Sequence, residues 1–414
     1  RDPEMSRGLG DVYKRQYLIL TRTMNLIKES NPLYKKKIIR ATTVPTSLVA
    51  FCSGLLKELS NKYEVIAVSS PGKELYKIHE SDRIRVISVP MERHISIIND
   101  MRSLWRMYKV FRKEKPYMVH SMTPKAGLIC MVAGWIAHVP RRVHTFTGLV
   151  WPTSVGVKRK ILMLADKIIC ACATNLIPEG YGVMNDLKIH ITKKPMQVLG
   201  YGNVRGIDLN YWKTTNELRI RSIELRRKLN ANNTFNFIFV GRIVGDKGVN
   251  ELVEAFIKLL SYSKNIKLLL VGKYETNLDP IAEVTRIKIN STPQIIVVGP
   301  QYGEDLKTHY AASDCFVFPS YREGFPNTPI EAGALNLPCI VTDINGSREI
   351  IENGKNGLII KPKDVDALFE SMRLIMENDA IRKKMAENAR PMIASRFEQS
   401  FVRKCLFDYY DQIM

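Results

Sequence analysis

The sequence predicts an α/β protein made of two doubly wound domains, each a parallel sheet covered by helices on both faces. Three observations predict it. Short, continuous Val/Ile/Leu runs of strand length alternate with amphipathic helical stretches along the chain, as in sheets buried on both faces. The runs fall into two sets, one on each side of a glycine-rich segment. The 414 residues, 45% of them hydrophobic, are enough for two cores of ordinary size.

In the first set, "KIIRATT" (37–43) precedes the helical "LVAFCSGLLKELS" (48–60). "YEVIAVSS" (63–70), "IRVISVP" (84–90), "YMVHSM" (117–122) and "RRVHTFT" (141–147) read as strands, with helices at 100–115 and 124–138 between them. "KIIC" (167–170) and "MQVLG" (196–200) complete the set as expected strands. In the second set, "FNFIFVGR" (235–242) precedes a helix at 248–261, and five more apolar runs follow: "IKLLLVG", "QIIVVGP", "CFVFPS", "CIVT" and "GLIIKP". The break falls in "LGYGNVRGIDLNYW" (199–212), whose glycines and polar residues read as a linker. The expected Rossmann-like domains are 17–200 and 201–393, with a helix over 394–414 that can cross back to the first. Residues 1–16, "RDPEMSRGLGDVYKRQ", look like vector read-through and are set aside.

Seven cysteines without regular spacing argue against a disulfide framework and for a reducing compartment. The most apolar run, "GLICMVAGWIAHVP" (127–140), is shorter than the roughly 20 residues of a spanning helix and reads as buried. No signal peptide is visible. Net charge is +21, unevenly placed. Residues 1–200 hold 33 Lys and Arg against 15 Asp and Glu; residues 201–414 hold 29 against 26. A basic first half points to an anionic partner: nucleic acid, a membrane surface or an anionic substrate. No nucleic-acid motif is present, which weakens the first of these.

In open parallel sheets, ligands bind beyond the carboxyl ends of the strands. After "FNFIFV" come Gly241, Arg242 and then Gly245-Asp246-Lys247-Gly248 at a helix start. Glycines admit a ligand to the backbone, and two cations with a helix N-terminus suit a diphosphate. The spacing is neither G-x-G-x-x-G nor a Walker loop. After "CFVFPS" comes "YREGFPNTPIEAGALNLPCIVTD" (321–343). Asn327 or Thr328 is placed to cap the next helix, with Pro329 in its first turn. The amides over Gly324, Phe325, Pro326, Asn327 and Thr328 then suit phosphate oxygens or sugar hydroxyls. Glu323 and Glu331, eight positions apart, flank this turn as acceptors. The two loops together describe a nucleotide-sugar site.

These pieces closely resemble the family 4 retaining glycosyltransferases of the GT-B fold. "FVGRIVGDKGVNELVEAF", the E-x7-E of Glu323 and Glu331, "SREIIENGKNGLIIKP" and the linker carry the match in the second half. "VPTSLVAFCSGLLKEL", "VSSPG" and "VHSMTPKAGLICMVAGWIAHVPRRVHTFTGLVWP" resemble bacterial capsule and O-antigen members in the first. The resemblance covers roughly residues 38–412. It implies two domains facing a cleft. Arg242 and Lys247 would bind the donor diphosphate, Glu331 the ribose, and Glu323 with the Gly324–Thr328 turn the sugar. The loop at Pro300–Tyr302 would flank the base. It further implies sugar transfer with retained configuration from a UDP-linked donor, with an N-acetylated hexosamine favoured. The expected acceptor is a lipid-linked saccharide, and the expected location is cytoplasmic, peripheral at the inner membrane face.

The first half departs from the family pattern. Where many relatives carry a site histidine in T-x-H-G, this chain has Thr147, in Thr145-Phe146-Thr147-Gly148. His120, at a strand end before Thr123-Pro124-Lys125, is the substitute favoured here, ahead of His144. "DVD" (364–366) formally matches a metal motif, but an N-cap role for Asp364 is the expectation, and no metal or cofactor is expected. An epimerase of the same fold, a silent subunit and a basic nucleic-acid-binding protein are the alternatives. For the membrane, the helix "DMRSLWRMYKVFRKEK" is expected to present Arg102, Arg106, Lys109 and Lys113 on one side. Trp105, Tyr108 and Phe111 would pack or enter the interface.

Overall fold

The structure, a computed structural model, describes residues 35–92, 94, 96–276 and 279–414. The segment set aside as vector-like lies outside these residues. Two six-stranded sheets form the frame. The first holds β1 (Lys37–Ala41), β2 (Glu64–Ser69), β3 (Arg85–Ser88), β4 (Met118–Met122), β5 (Arg141–Phe146) and β6 (Asn175–Pro178), in the order β3-β2-β1-β4-β5-β6. The second holds β7 (Phe235–Val240), β8 (Ile266–Val271), β9 (Ile295–Gly299), β10 (Cys315–Phe318), β11 (Cys339–Thr342) and β12 (Gly357–Ile360), in the order β12-β11-β10-β7-β8-β9. Every strand pairing is parallel. Counted from its own first strand, each sheet runs 3-2-1-4-5-6, the doubly wound order.

The strands are apolar on both faces because helices cover both. Ile38 and Ile39 of β1, and Phe237, Ile238 and Phe239 of β7, are fully buried. The order reverses between β1 and β4 in one sheet and between β7 and β10 in the other. Loops leaving those strands therefore border the two crevices where ligands bind.

Two expected strands are not strands. "KIIC" lies inside the Gly156–Cys172 helix, where Ile169 and Cys170 face the core and Ile168 faces solvent. Its apolar residues continue a helical period. The sixth strand is instead "NLIP" (175–178), four residues closed by Pro178 and too short to stand out. "MQVLG" forms no ladder; Gln197 N–H donates to Leu176 O at 3.2 Å, and the segment runs on as a loop.

The end of the chain returns to the first sheet. Ile207 and Glu398 pair side by side where the chain passes between the halves. The Gln399–Ile413 helix then sets Leu406, Tyr409 and Tyr410 into the core built on Ile38, Leu48 and Val65. Among the described residues, no helix is long and apolar enough to cross a membrane, and the seven cysteines are free.

Candidate active site

The loop after β7 turns at Gly241 and passes Arg242 into a short 3-10 turn, Gly245–Lys247. Gly248 then opens the Val249–Tyr262 helix at φ +70°, and a Cβ there would lie 2.0 Å from Pro319 O. Pro319 begins the loop after β10. Glycine at 248 therefore joins the two loops at the switch point, where no other residue fits. Across this junction the Lys247 ammonium is ion-paired with the Glu323 carboxylate, and both side chains are largely buried. Ser320 Oγ donates to the same Glu323 oxygen at 2.8 Å. Arg242 does not share that partner: its guanidinium donates to Glu275 Oε2 at 2.7 Å, half exposed. Arg322 reaches Asp246 at 3.3 Å.

The helix after this loop is Asn327–Ala334, and its N-cap is Pro326. Asn327 and Thr328 do not cap it, contrary to expectation; Asn327 Oδ1 accepts from Asn203 Nδ2 at 3.0 Å instead. Pro326 has no N–H to offer a ligand. The Phe325 ring is buried edge-on against Phe397, with centroids 5.5 Å apart, so it anchors the turn. Gly324, Phe325, Asn327 and Thr328 supply the donors of the turn.

Glu331, one helical turn on, is buried. It accepts from the Tyr310 hydroxyl at 3.3 Å and faces the Arg205 guanidinium at 3.6 Å. Burial pushes its carboxyl up to about 7, with Arg205 and Tyr310 pulling the other way. It lines a cavity of about 870 Å³ between the halves, walled also by Phe51, Arg205, Tyr211, Trp212 and Tyr302. Tyr302 is 79% exposed at this wall, before the Gly303–Ala311 helix. Glu323 is not on the wall of this cavity. The two carboxylates thus sit on either side of the helix start rather than in one chamber, because one precedes the turn and the other is a turn into the helix.

The first half closes on the same loop. A Cβ on Gly324 would lie 2.2 Å from Thr147 O, and one on Gly148 would lie 3.1 Å from the Gly324 backbone. Thr147 therefore abuts the turn after Glu323 through its backbone. Nearby, the Glu349 carboxylate accepts from the Tyr181 and Gly182 amides at 2.6 and 3.0 Å, fastening the second half to the first. Glu179, buried at the end of β6, has its carboxyl pushed up to about 8, first by burial and then by Glu323 and Glu349.

His120 is 1% exposed. Arg40 Nη1 donates to its Nδ1 at 2.6 Å, and Tyr410 Oη lies 2.6 Å from the same nitrogen. A guanidinium can only donate, so Nδ1 accepts and the ring proton sits on Nε2, donating to Thr145 Oγ1 at 2.7 Å. Burial first, then Arg40, hold the ring well below its ordinary titration range. Both nitrogens are engaged inside the first half. His144 is buried too, with Nδ1 2.9 Å from Ser121 Oγ. Asp364 caps the Val365–Glu377 helix through Ala367 N–H at 2.9 Å, and Asp366 pairs with Lys258 at 2.7 Å. Those contacts account for the D-x-D spacing.

Sequence reasoning missed Glu275, Ser320, Arg205, Tyr310 and Glu349. Ser320 stands at the strand end before the loop, and Arg205 and Glu349 lie in segments that carried the resemblance without being singled out; Glu275 and Tyr310 come from a loop and a helix with no such pattern.

Comparisons with known proteins bear on the family and the fold. The family described as glycosyl transferases group 1 matches residues 222–392, and the glycosyl transferase 4-like domain matches residues 49–178. A capsular polysaccharide biosynthesis glycosyltransferase of Staphylococcus aureus, CapM, is 33% identical over 382 residues, 92% of this chain and 98% of that protein. An Escherichia coli UDP-Gal:alpha-D-GlcNAc-diphosphoundecaprenol alpha-1,3-galactosyltransferase is 29% identical over 330 residues, 76% of this chain and 81% of that protein. Among solved structures, Anabaena HepE in complex with UDP and glucose shares the fold, with a TM-score of 0.76 at 17% identity over 91% of this chain and all of that one. The chain belongs to the group 1 glycosyl transferases and has their two-domain GT-B fold.

Proposed function

We propose that this glycosyltransferase moves a sugar, with retained configuration, from a UDP-linked donor to a lipid-linked saccharide in the synthesis of a surface polysaccharide. One observation carries the reading. Glu331 stands buried on the wall of the cavity between the halves, one turn beyond a loop that holds Glu323 against Lys247 at the switch point. In this reading Glu331 takes the ribose hydroxyls, and Tyr302 flanks the base. Lys247, once drawn from Glu323, and Arg242, once drawn from Glu275, take the diphosphate. Their charge stabilises the leaving group as the sugar–phosphate bond breaks. Glu323 is then released to the donor sugar. The acceptor oxygen bonds to the anomeric carbon on the face the diphosphate leaves, and its proton passes to a donor phosphate oxygen. His120 has no part in this scheme; it holds Arg40 and Tyr410 together.

The names of the two relatives support the acceptor and pathway. One makes capsule, and the other acts on a diphosphoundecaprenol-linked sugar. The domains we assign are residues 17–200 for the acceptor and 201–393 for the donor, with 394–414 returning to the first. Attachment at the inner membrane face is assigned to the first domain, whose Arg102, Arg106, Lys109 and Lys113 all lie exposed on the Ile97–Glu114 helix. Phe111 is in the core and takes no part, whereas Trp105 is exposed and stacks on Tyr108 at 5.4 Å. A thermal-shift screen against nucleotide sugars, followed by transfer to a diphospholipid-linked sugar with the product's anomeric configuration read by NMR, tests the reading. Stabilisation by no uridine nucleotide, or an inverted product, would overturn it.

A further inference from the structure

The Gly156–Cys172 helix has two apolar faces. One holds Ile169, Cys170 and Asp166 inward, with Asp166 accepting from the Trp151 indole at 3.1 Å. The other carries Val157, Ile161, Leu164 and Ile168, spaced 4, 3 and 4, a narrow stripe down the opposite side. These residues are exposed: Val157 at 72% and Leu164 at 57%, with Val155 just before the helix at 83%. Lys160 and Lys167 run beside the stripe, both exposed. No element of the described residues covers it.

Its position is as informative as its composition. The helix packs beside Pro124–Ile136, which packs beside Ile97–Glu114, so the three form one layer on the first sheet. Each starts at the carboxyl edge of that sheet, the edge that borders the cleft. The exposed apolar residues of Ile97–Glu114, namely Ile97, Ile98, Met101 and Trp105, lie in its first half, toward the same edge. The stripe itself begins just after the loop that abuts Gly324 and whose Leu149 O accepts from Arg322 at 3.4 Å. Apolar side chains are thus gathered, with basic ones around them, beside the mouth of the cleft.

We propose that the stripe Val157–Ile161–Leu164–Ile168 enters the bilayer, with Lys160 and Lys167 at the headgroups, and that its partner is a membrane containing anionic lipid. A helix of this make lies in the interfacial plane with its apolar side below the headgroups. The proposal rests on the lipid-linked acceptor of the preceding reading and moves the main membrane contact to a different helix. It places the cleft at the depth where the sugar of such an acceptor stands.

The test uses the full chain and vesicles of phosphatidylcholine with or without phosphatidylglycerol. The quadruple variant Val157→Ser, Ile161→Ser, Leu164→Ser, Ile168→Ser alters exposed side chains only. Its sedimentation with anionic vesicles should fall about tenfold or more, with the melting temperature and transfer to a water-soluble acceptor analogue unchanged. Leu164→Trp should add an emission that brominated lipid quenches. Equal sedimentation of wild type and quadruple variant, or an added indole that brominated lipid leaves unquenched, would overturn the proposal. So would a vesicle-free dimer that the quadruple variant abolishes, since the stripe would then be covered by a second copy. Absence of transfer by wild type to the soluble analogue would count against the proposed activity and leave the vesicle result standing.

Discussion

Lys247 and Glu323 face each other across the junction of the two switch-point loops, and each neutralises the other. In the proposed reading, a diphosphate draws Lys247 off Glu323 before either side chain serves a donor. Glu323→Ala should leave the affinity for UDP unchanged or raise it, because the lysine is freed. Turnover should fall about ten- to a hundredfold, the loss of one charged acceptor worth roughly 1.5–3 kcal/mol. Calorimetry with UDP and a transfer assay check the two halves of this expectation.

Lys247→Ala combined with Arg242→Ala should abolish transfer without unfolding the second domain. Arg242 is half exposed and bound to a partly exposed Glu275, so its loss disturbs no core. Circular dichroism beside the transfer assay decides; near-native turnover in the double variant would refute the diphosphate assignment.

Glu331 gives a pH signature. Its carboxyl is raised from an ordinary 4.5 to about 7 in the fold, so between those values the folded chain keeps a proton the unfolded chain has released. Stability from this group is full below about 4.5 and is lost as pH rises through 7. Glu179 and Asp166, raised to about 8 and about 7, act in the same sense, while buried His120 and His144 act against it below 6.5. Comparison with Glu331→Gln isolates the one group. The melting temperature of the variant should gain on wild type from pH 5 to about pH 7 and level off above it, and its affinity for UDP should be about tenfold weaker or more. A difference in melting temperature that is flat with pH would contradict the assignment.

Gly324→Ala should impair the enzyme without unfolding it. Its Cβ would press on Thr147 O in the other half, so the loop or the domain must retreat. A displacement of an ångström at a reacting centre can cost up to a hundredfold, and we expect at least tenfold in kcat/KM with an unchanged melting temperature.

His120→Ala should do the reverse. Among the described residues, the buried Arg40 side chain has His120, Tyr410 and two sulfurs as its partners. Removing one acceptor should cost about 1–3 kcal/mol of stability, with kcat per folded molecule unchanged. A collapse of kcat at full stability would return His120 to the reaction.

Much of this molecule was legible because its strands are buried on both faces. Runs such as "FNFIFV" have no period other than apolar continuity, and their boundaries survive almost unaltered in β7. The errors came where length failed to arbitrate. "KIIC" is apolar enough for a strand, yet its neighbours continue a helix, and the true β6 is a four-residue piece. In the candidate site, Glu323, Lys247 and Arg242 stood out because they punctuate loops after strands, and Glu331 because it lies in the helix eight positions after Glu323. Their partners Glu275 and Arg205 were not, since each arrives from a distant loop. Nor was the status of His120: a strand-end histidine looks the same in sequence whether it opens on a cleft or on a buried arginine.

The returning helix has a consequence for how the chain is made. Tyr410, from its last turns, bonds Arg40 of the first strand, and Leu406 and Tyr409 fill the same core. During synthesis the second domain, which emerges later, can complete its own core before the first can. The N-terminal half must wait on the ribosome with part of its interior open until residues 399–413 have been translated. Domain-by-domain folding in order of synthesis is thus reversed at its last step, and a released chain ending just before residue 399 should expose the first core to chaperones while the core of its second half, which closes with Phe397, is complete.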